Sequence, residues 1–210
     1  DRNYRNHGGG GMSAEAVAKR VPVAVAPRAR TVQVGTAFAI SGVLMYFGAL
    51  FGIYLNTRSQ FVKGGVDWIP GDVDMQLTAP TIIAWTFVIS LPVAYWAVYS
   101  IRQDDRRHAY LAFGLILLLG LMTINQAAFN FEAMGLIADR SRAETLMFLI
   151  GGSHIVLTVV GLLFFSFTAF RALAGQYTSK YRDAVQAAAM FWYVIVVLYF
   201  IIWLMIYVAK

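Results

Sequence analysis

The sequence contains no cysteine and very little charge. Only 13% of its 210 residues are Asp, Glu, Lys or Arg, against about 25% in an average soluble domain. Without cysteine, the chain cannot form disulfides, thiolate metal sites, iron–sulfur clusters or covalent c-type haem attachments. The scarcity of charge, together with 59% hydrophobic residues, indicates a protein whose surface faces lipid.

Five apolar stretches are long enough to cross a bilayer, which takes about 20 residues of α-helix. The fifth is rich in Tyr, Trp and β-branched residues, as strands are, but an open strand leaves its backbone groups unpaired in lipid. We therefore predict an all-α integral membrane bundle of five transmembrane helices within residues 32–210. The predicted spans are residues 34–55, 79–101, 109–131, 145–173 and 184–208.

Residues 1–31 precede the first span and are predicted to be a flexible, basic cytoplasmic tail. A glycine run, Gly8 to Gly11, comes directly before Met12. Met12 is therefore a candidate natural start, which makes residues 1–11 a candidate non-native extension.

The basic residues are distributed unequally between the two sides of the predicted bundle. Of the 17 Lys and Arg residues, 12 fall in the N-terminal tail, the second loop and the fourth loop, and 5 fall on the other side. Because cytoplasmic loops carry the excess of Lys and Arg, we predict an inner N-terminus and an outer C-terminus.

Few polar side chains occur at membrane depth. Asn125, Gln126 and Asn130 lie near the outer end of the third span, where such residues more often join helices than bind a substrate. His154 is the only histidine in any span, and none of the spans contains an acid. Haem or copper sites need several such ligands, so no catalytic, cofactor or metal site is predicted in this chain. For His154 we favour a structural or lipid-facing hydrogen bond.

Three segments carry aromatic and glycine motifs in a fixed order. The fifth span reads Phe191-Trp192-Tyr193-Val194-Ile195-Val196-Val197-Leu198-Tyr199, followed by Tyr207; the fourth contains Gly152-Ser153-His154 and then Gly161-Leu162. The first span reads Ser41 to Phe47 and then Leu50 to Tyr54. In order, spacing and topology these segments resemble subunit III of the haem–copper respiratory oxidases, in its short five-helix bacterial form.

Two smaller features support the resemblance, which covers roughly residues 34–208. Gly64-Gly65 with Trp68-Ile69-Pro70 in the first outer loop resembles the family's W-P-P segment, and Gln126 resembles the first residue of its Q-x-x-E. The family's membrane acids and two of its histidines are missing, however. Their positions hold Val43, Phe129, Leu157, Tyr193 and Val196, and Tyr199 replaces a tryptophan.

The resemblance implies a non-catalytic subunit of a bacterial terminal oxidase in the plasma membrane. Such a subunit binds phospholipid but neither haem nor copper. The resemblance places the haem and copper in the catalytic subunit I and in subunit II. It packs against subunit I through helices 1 and 2, and a V-shaped cleft between that pair and helices 3–5 holds the lipid. Its partners would be subunits I and II and membrane lipids, with no nucleic acid. The candidate lipid or subunit contacts are His154, Gln126, Arg171, Trp192, Gly48 and Gly52.

Several alternatives stay open at this point. The chain could be the subunit-III-like accessory protein of a nitric oxide reductase, an unrelated small membrane transporter or scaffold, or a haem-bearing anchor. The residues do not decide whether the electron donor is cytochrome c or quinol, which haems are used, or whether the complex joins a respiratory supercomplex.

Overall fold

The computed structural model describes residues 30–69, 71, 73, 75–179 and 181–209. In these residues it contains five helices and no strand beyond an isolated bridge between Thr178 and Tyr181. All five are long and apolar enough to cross a membrane. The predicted all-α fold is therefore confirmed, while residues 1–29 of the predicted tail lie outside the described part. The helices are α1 (Thr31–Lys63), α2 (Thr78–Arg102), α3 (Arg106–Ala133), α4 (Arg142–Leu173) and α5 (Asp183–Ile202), which continues as a π-helix (Trp203–Val208).

Helices α3 and α4 begin before the predicted spans, each at a capping side chain rather than at the edge of the apolar run. Asp105 caps α3 by accepting a 3.2 Å hydrogen bond from the His108 N–H, and that bond is the main reason that the pKa of the Asp105 carboxyl is lowered. Ser141 caps α4 in the same way, accepting from the Glu144 N–H at 3.2 Å. Gly65, Gly135 and Gly175 follow the ends of α1, α3 and α4 with φ between 63 and 71°, a conformation that glycine adopts without strain.

Helix α5 is the centre of the bundle. It packs against α1, α2 and α4, while α3 packs against α2 and α4. In the most apolar 18-residue window, 56% of α5 residues are buried, against 17% of those of α1. Helix α1 is thus attached to the edge of a four-helix core. The largest fully buried side chains include Trp192 of α5, Phe87 of α2, Phe113 of α3, Phe165 of α4 and Tyr54 of α1.

The expected division into helices 1 and 2 on one side and helices 3–5 on the other is wrong. Helix α2 packs mainly against α3 and α5, and α1 packs against α5 and α4. Three residues connect α2 to α3, so the two helices are antiparallel neighbours. The small residues of α2 also face inwards and allow α3 and α5 to approach closely. These residues are Ala84, Ser90, Ala94 and Ala97, all of them buried.

Candidate lipid and subunit contacts

An open apolar groove runs between α1 and α4, with a volume of about 780 Å³. Gly42 on α1 and Gly152 on α4 both line it, and a Cβ added at either would meet no atom within 4 Å. The two walls are joined by a hydrogen bond between the hydroxyl oxygens of Tyr46 and Ser153, 2.8 Å apart. We call this feature the α1–α4 groove. Its lining residues are Ala39, Gly42, Val43, Tyr46, Phe47, Phe148, Leu149, Gly152, Ser153, Val156, Leu157 and Val160.

The α1–α4 groove contains two of the positions at which the sequence departs from the family pattern. Val43, where the resemblance implies a membrane acid, and Leu157, where it implies a second histidine, both line the groove. Val43 and Leu157 are both apolar, and the polar side chains among the lining residues are those of Tyr46 and Ser153. The groove can therefore hold hydrocarbon without burying an unpaired charge.

Arg171 lies at the last turn of α4, at the end of the bundle where α1 begins. Its Nε donates a 2.8 Å hydrogen bond to the Gln176 side-chain oxygen, and its guanidinium lies over the rings of Phe167 and Tyr177, at 5.8 and 5.2 Å. Arg171 also lines a separate cavity of about 360 Å³ with Thr31 of α1 and residues of the α4–α5 loop. Since two rings and the Gln176 side chain contact the guanidinium group, the Arg171 side chain is oriented by this chain's own residues.

His154 and Trp192 lie in the interior rather than on the surface. His154 is 4% exposed, and its Nε2 lies 2.9 Å from the carbonyl oxygen of Ile195 on α5. Trp192 is fully buried, and its Nε1 donates a 2.8 Å hydrogen bond to the hydroxyl of Ser90 on α2. Both side chains therefore join helices within this chain. For His154 this is the structural hydrogen bond that we favoured, made in the core and not towards lipid.

The remaining candidates lie on outer faces of the bundle. Gly48 and Gly52 are exposed, and a Cβ added at either would meet nothing within 4 Å. They lie one turn apart on the side of α1 that faces away from the other helices. Gln126 is half-buried near the C-terminal end of α3, at the opposite end of the bundle from Arg171. The six candidates thus form no single site: two are internal, Arg171 and Gln126 lie near opposite ends of the bundle, and the two glycines form an outward face.

Two further side-chain contacts organise the bundle, and neither pairing was predicted from the sequence, although Asn130 was named there as a residue that joins helices. The Glu144 carboxylate is fully buried and binds the Arg140 guanidinium at 2.6 Å and the Ser141 hydroxyl at 2.8 Å. The spacing Ser141-x-x-Glu144 is typical of a helix start and would have identified these two residues. The Asn130 side chain donates a 2.9 Å hydrogen bond to the Tyr207 hydroxyl, which connects α3 to the π-helix. No local pattern links those two positions.

No cluster of three or more histidine, cysteine or acidic side chains that could hold a metal ion occurs in the described residues. Five membrane-length helices, an open apolar groove and an outward glycine face together define a multi-pass α-helical membrane protein. Residues 24–210 match the model of the family described as cytochrome c oxidase subunit III. The chain belongs to the cytochrome c oxidase subunit III family.

Comparison with individual proteins agrees with that assignment. The chain is 28% identical to cytochrome c oxidase subunit 3 of Bos taurus, 27% identical to that of Sus scrofa and 28% identical to that of Tragelaphus imberbis. Each alignment covers 175 residues, which is 82% of this chain and 65% of the relative. The chain thus spans about two thirds of the length of the curated relatives that it matches.

Proposed function

We propose that this chain is a non-catalytic subunit III of a bacterial haem–copper terminal oxidase, in which it supports the assembly and stability of catalytic subunit I. Family membership supports the type of complex. The observation that supports a docking role is the exposure of α1, a helix with only 17% of its most apolar window buried. Haem and copper belong to subunits I and II in this proposal, and the chain contributes packing surface and bound phospholipid.

The outward face of α1 is the proposed contact with subunit I. In lipid, helices associate through close packing, because lipid tails compete equally well for apolar contact. Gly48 and Gly52 remove side-chain bulk from two successive turns of this face and leave space above the backbone. A partner helix can approach there more closely than it can over Leu44 or Met45.

The α1–α4 groove and Arg171 are the proposed phospholipid site. Val160 at the end of the groove and Arg171 lie on one face of α4, with Phe164 and Phe167 between them at spacings of four, three and four residues. Eleven residues of helix correspond to about 16 Å, similar to the length of an acyl chain. A lipid with its phosphate at Arg171 could therefore place a tail in the groove.

The proposed arrangement places the chain in the bacterial plasma membrane with residues 1–31 in the cytoplasm. The 12 basic residues assigned to the inner side support this orientation. It also places Arg171 at the inner leaflet, among the headgroups of that side.

A double substitution tests the docking proposal. Gly48→Leu with Gly52→Leu adds bulk to the outward face, and the new Cβ atoms meet no atom of another helix within 4 Å. Bulk inserted into a packed interface costs about 1–3 kcal/mol, so we expect the variant to fold but to be lost from the complex on purification in mild detergent. The matched control is Gly48→Ala with Gly52→Ala, which keeps both residues small and should remain bound. Co-purification of redox subunits is measured by mass spectrometry. Retention of the leucine variant, or a wild-type chain that purifies without redox subunits, contradicts the proposal.

A further inference from the structure

A small cavity lies between α2, α3, α4 and α5, beside the point where α5 becomes a π-helix. Its volume is about 30 Å³, and about 10–15 Å³ is enough to admit one water molecule. It is separate from the α1–α4 groove. Four polar side chains are among its lining residues: Asn130, His154, Tyr199 and Tyr207.

The hydrogen bond to Ile195 determines which nitrogen of His154 carries the proton. A backbone carbonyl only accepts, so the Nε2 that lies 2.9 Å from it must donate. The ring is surrounded by the rings of Phe47, Phe87 and Tyr199, at centroid distances of 5.4 to 6.4 Å. A charged imidazolium without an acid partner is costly in such surroundings. The ring is therefore neutral, and its Nδ1 is an acceptor with no partner among the described residues.

Asn130 offers a second unpaired acceptor to the same cavity. Its amide nitrogen donates to the Tyr207 hydroxyl at 2.9 Å and approaches the Met134 sulfur at 3.3 Å. Its Oδ1 has no partner within the part of the chain that the structure describes. Asn130 and His154 are each only 4% exposed, and both line the cavity.

The hydroxyls of Tyr199 and Tyr207, two residues that line the cavity, differ in the further hydrogen bonds that they can make. Tyr199 donates to the Pro80 carbonyl at 2.9 Å, so its oxygen can only accept a further bond. The other acceptor near the Tyr207 hydroxyl is the Met134 sulfur at 3.8 Å, a weak one. The Tyr207 hydroxyl can therefore donate its hydrogen to an acceptor stronger than the Met134 sulfur.

We propose that one ordered water molecule occupies this cavity and donates its two hydrogens to Nδ1 of His154 and Oδ1 of Asn130. A molecule that donates twice and also accepts matches two unpaired acceptors and the Tyr207 hydroxyl, which donates to its oxygen. The water connects α3, α4 and α5 at the level of the π-helix and satisfies groups that protein atoms leave open. It is an internal hydration site within the membrane domain.

Nitrogen NMR of His154 tests the proposal in the intact protein. This chain alone is labelled with ¹⁵N-histidine, combined with unlabelled partner subunits and reconstituted in bilayers, so that His7→Gln and His108→Gln leave a single labelled histidine. We expect a protonated Nε2, an unprotonated Nδ1 with the chemical shift of a hydrogen-bonded acceptor, and magnetisation transfer from water protons to Nδ1. An Nδ1 with the shift of a free imidazole nitrogen and no transfer from water, or a protonated Nδ1, would overturn the proposal.

Two substitutions on α3 then identify the second acceptor. Asn130→Leu removes it and fills the cavity, and we expect the water transfer to Nδ1 to be lost. Asn125→Leu changes an exposed residue that does not line the cavity, and the transfer should be unchanged. Undiminished transfer in Asn130→Leu would show that Asn130 does not hold the water and would contradict the proposed geometry. If Asn130→Leu does not accumulate, the spectrum with Asn130 intact still decides whether the water is present.

Discussion

The indole N–H of Trp192 on α5 donates a 2.8 Å hydrogen bond to the hydroxyl of Ser90 on α2, and both side chains are buried. The same Ser90 hydroxyl donates at 2.7 Å to the carbonyl of Phe87. One hydroxyl therefore satisfies the largest aromatic residue of the core and also bonds its own helix. Ser90 lies 102 positions before Trp192 in the chain, and this pair joins the two helices that the sequence had assigned to different halves.

We predict that Ser90→Ala destabilises the bundle, because the Trp192 N–H loses its acceptor at a buried site. An unpaired buried donor costs about 1–3 kcal/mol, and interhelical bonds in membranes average nearer 0.6 kcal/mol, so we expect a loss of about 1 kcal/mol. The free energy of unfolding in mixed micelles measures it. Ser41→Ala is the control, since the exposed Ser41 hydroxyl bonds only the Ala37 carbonyl of its own helix. Equal stability of the two variants would contradict the role given to Ser90.

Two glycines of α3 should respond to alanine in opposite directions. A Cβ at Gly120 would lie 2.3 Å from Cδ2 of Leu162 and 2.9 Å from the Trp192 ring, whereas one at Gly114 would meet nothing within 4 Å. We predict that Gly120→Ala destabilises the bundle by about 1–3 kcal/mol through overpacking. Gly114→Ala should be neutral or stabilising by up to about 1 kcal/mol, because alanine favours the helix more than glycine does. Unfolding of the two variants under the same conditions tests this, and equal effects would mean that α3 does not approach α4 and α5 at Gly120.

The buried carboxylate of Glu144 should matter more than its position near a helix end suggests. Glu144→Gln keeps the shape of the side chain but removes the charge that pairs with Arg140 at 2.6 Å. Hydrogen bonds to charged groups contribute about 1.5–3 kcal/mol, so we predict a loss of about 2 kcal/mol in the free energy of unfolding. Glu132→Gln, at an exposed position of α3, is the matched control and should change stability little. A Glu144→Gln variant as stable as the control would show that the pair is not needed.

The number of helices could be predicted from the sequence because the bilayer imposes it. A run of about 20 apolar residues without charge has few other stable structures in lipid. Which helices are neighbours could not be predicted in the same way. Both α1 and α2 carry small residues at helical spacing, yet Ala84 and Ala94 are buried while Gly48 and Gly52 face outwards. Composition shows that a close approach is possible on a helix face, but not which partner uses it.

The candidate contacts show the same limit. His154 was recognised as a single polar residue in its span, but its acceptor is the backbone carbonyl of Ile195. Every residue type has such a carbonyl, so the sequence contains no sign of this partner. The Asn130–Tyr207 bond depends on the π-helix, which shifts the late residues of α5 around its axis relative to an α-helix. Neither partner could be identified by residue type alone. The Ser141 and Glu144 helix start, in contrast, follows a local pattern that was present in the sequence.

Labelling with a thiol reagent tests the orientation that we propose for the bundle. The sequence contains no cysteine, so an introduced thiol is the only thiol of this sequence that the reagent can label. We predict that Asp139→Cys, in the α3–α4 loop, reacts with a membrane-impermeant reagent in intact cells, and that Lys180→Cys reacts only after the membrane is opened. Asp139 is exposed, and its replacement leaves the Arg140–Glu144 pair in place. Labelling of Lys180→Cys alone in intact cells would invert the model and move Arg171 to the outer leaflet.

The last prediction concerns the α1–α4 groove as a lipid site. Gly42→Phe fills the groove from the α1 side without meeting any atom of the chain within 4 Å of the new Cβ, so we expect a folded protein. The ring occupies space that a lipid tail would use, and phospholipid retained through purification should fall, as measured by native mass spectrometry of the complex. Gly35→Phe is the matched control, since Gly35 is also unobstructed on α1 but does not line the groove.

Arg171→Gln should reduce the retained lipid as well, because it removes the cation that the phosphate would bind, while the groove itself stays open. A loss with Gly42→Phe but not with Arg171→Gln would place a tail in the groove and its headgroup elsewhere. Equal lipid in Gly42→Phe and Gly35→Phe would contradict a lipid site in the groove.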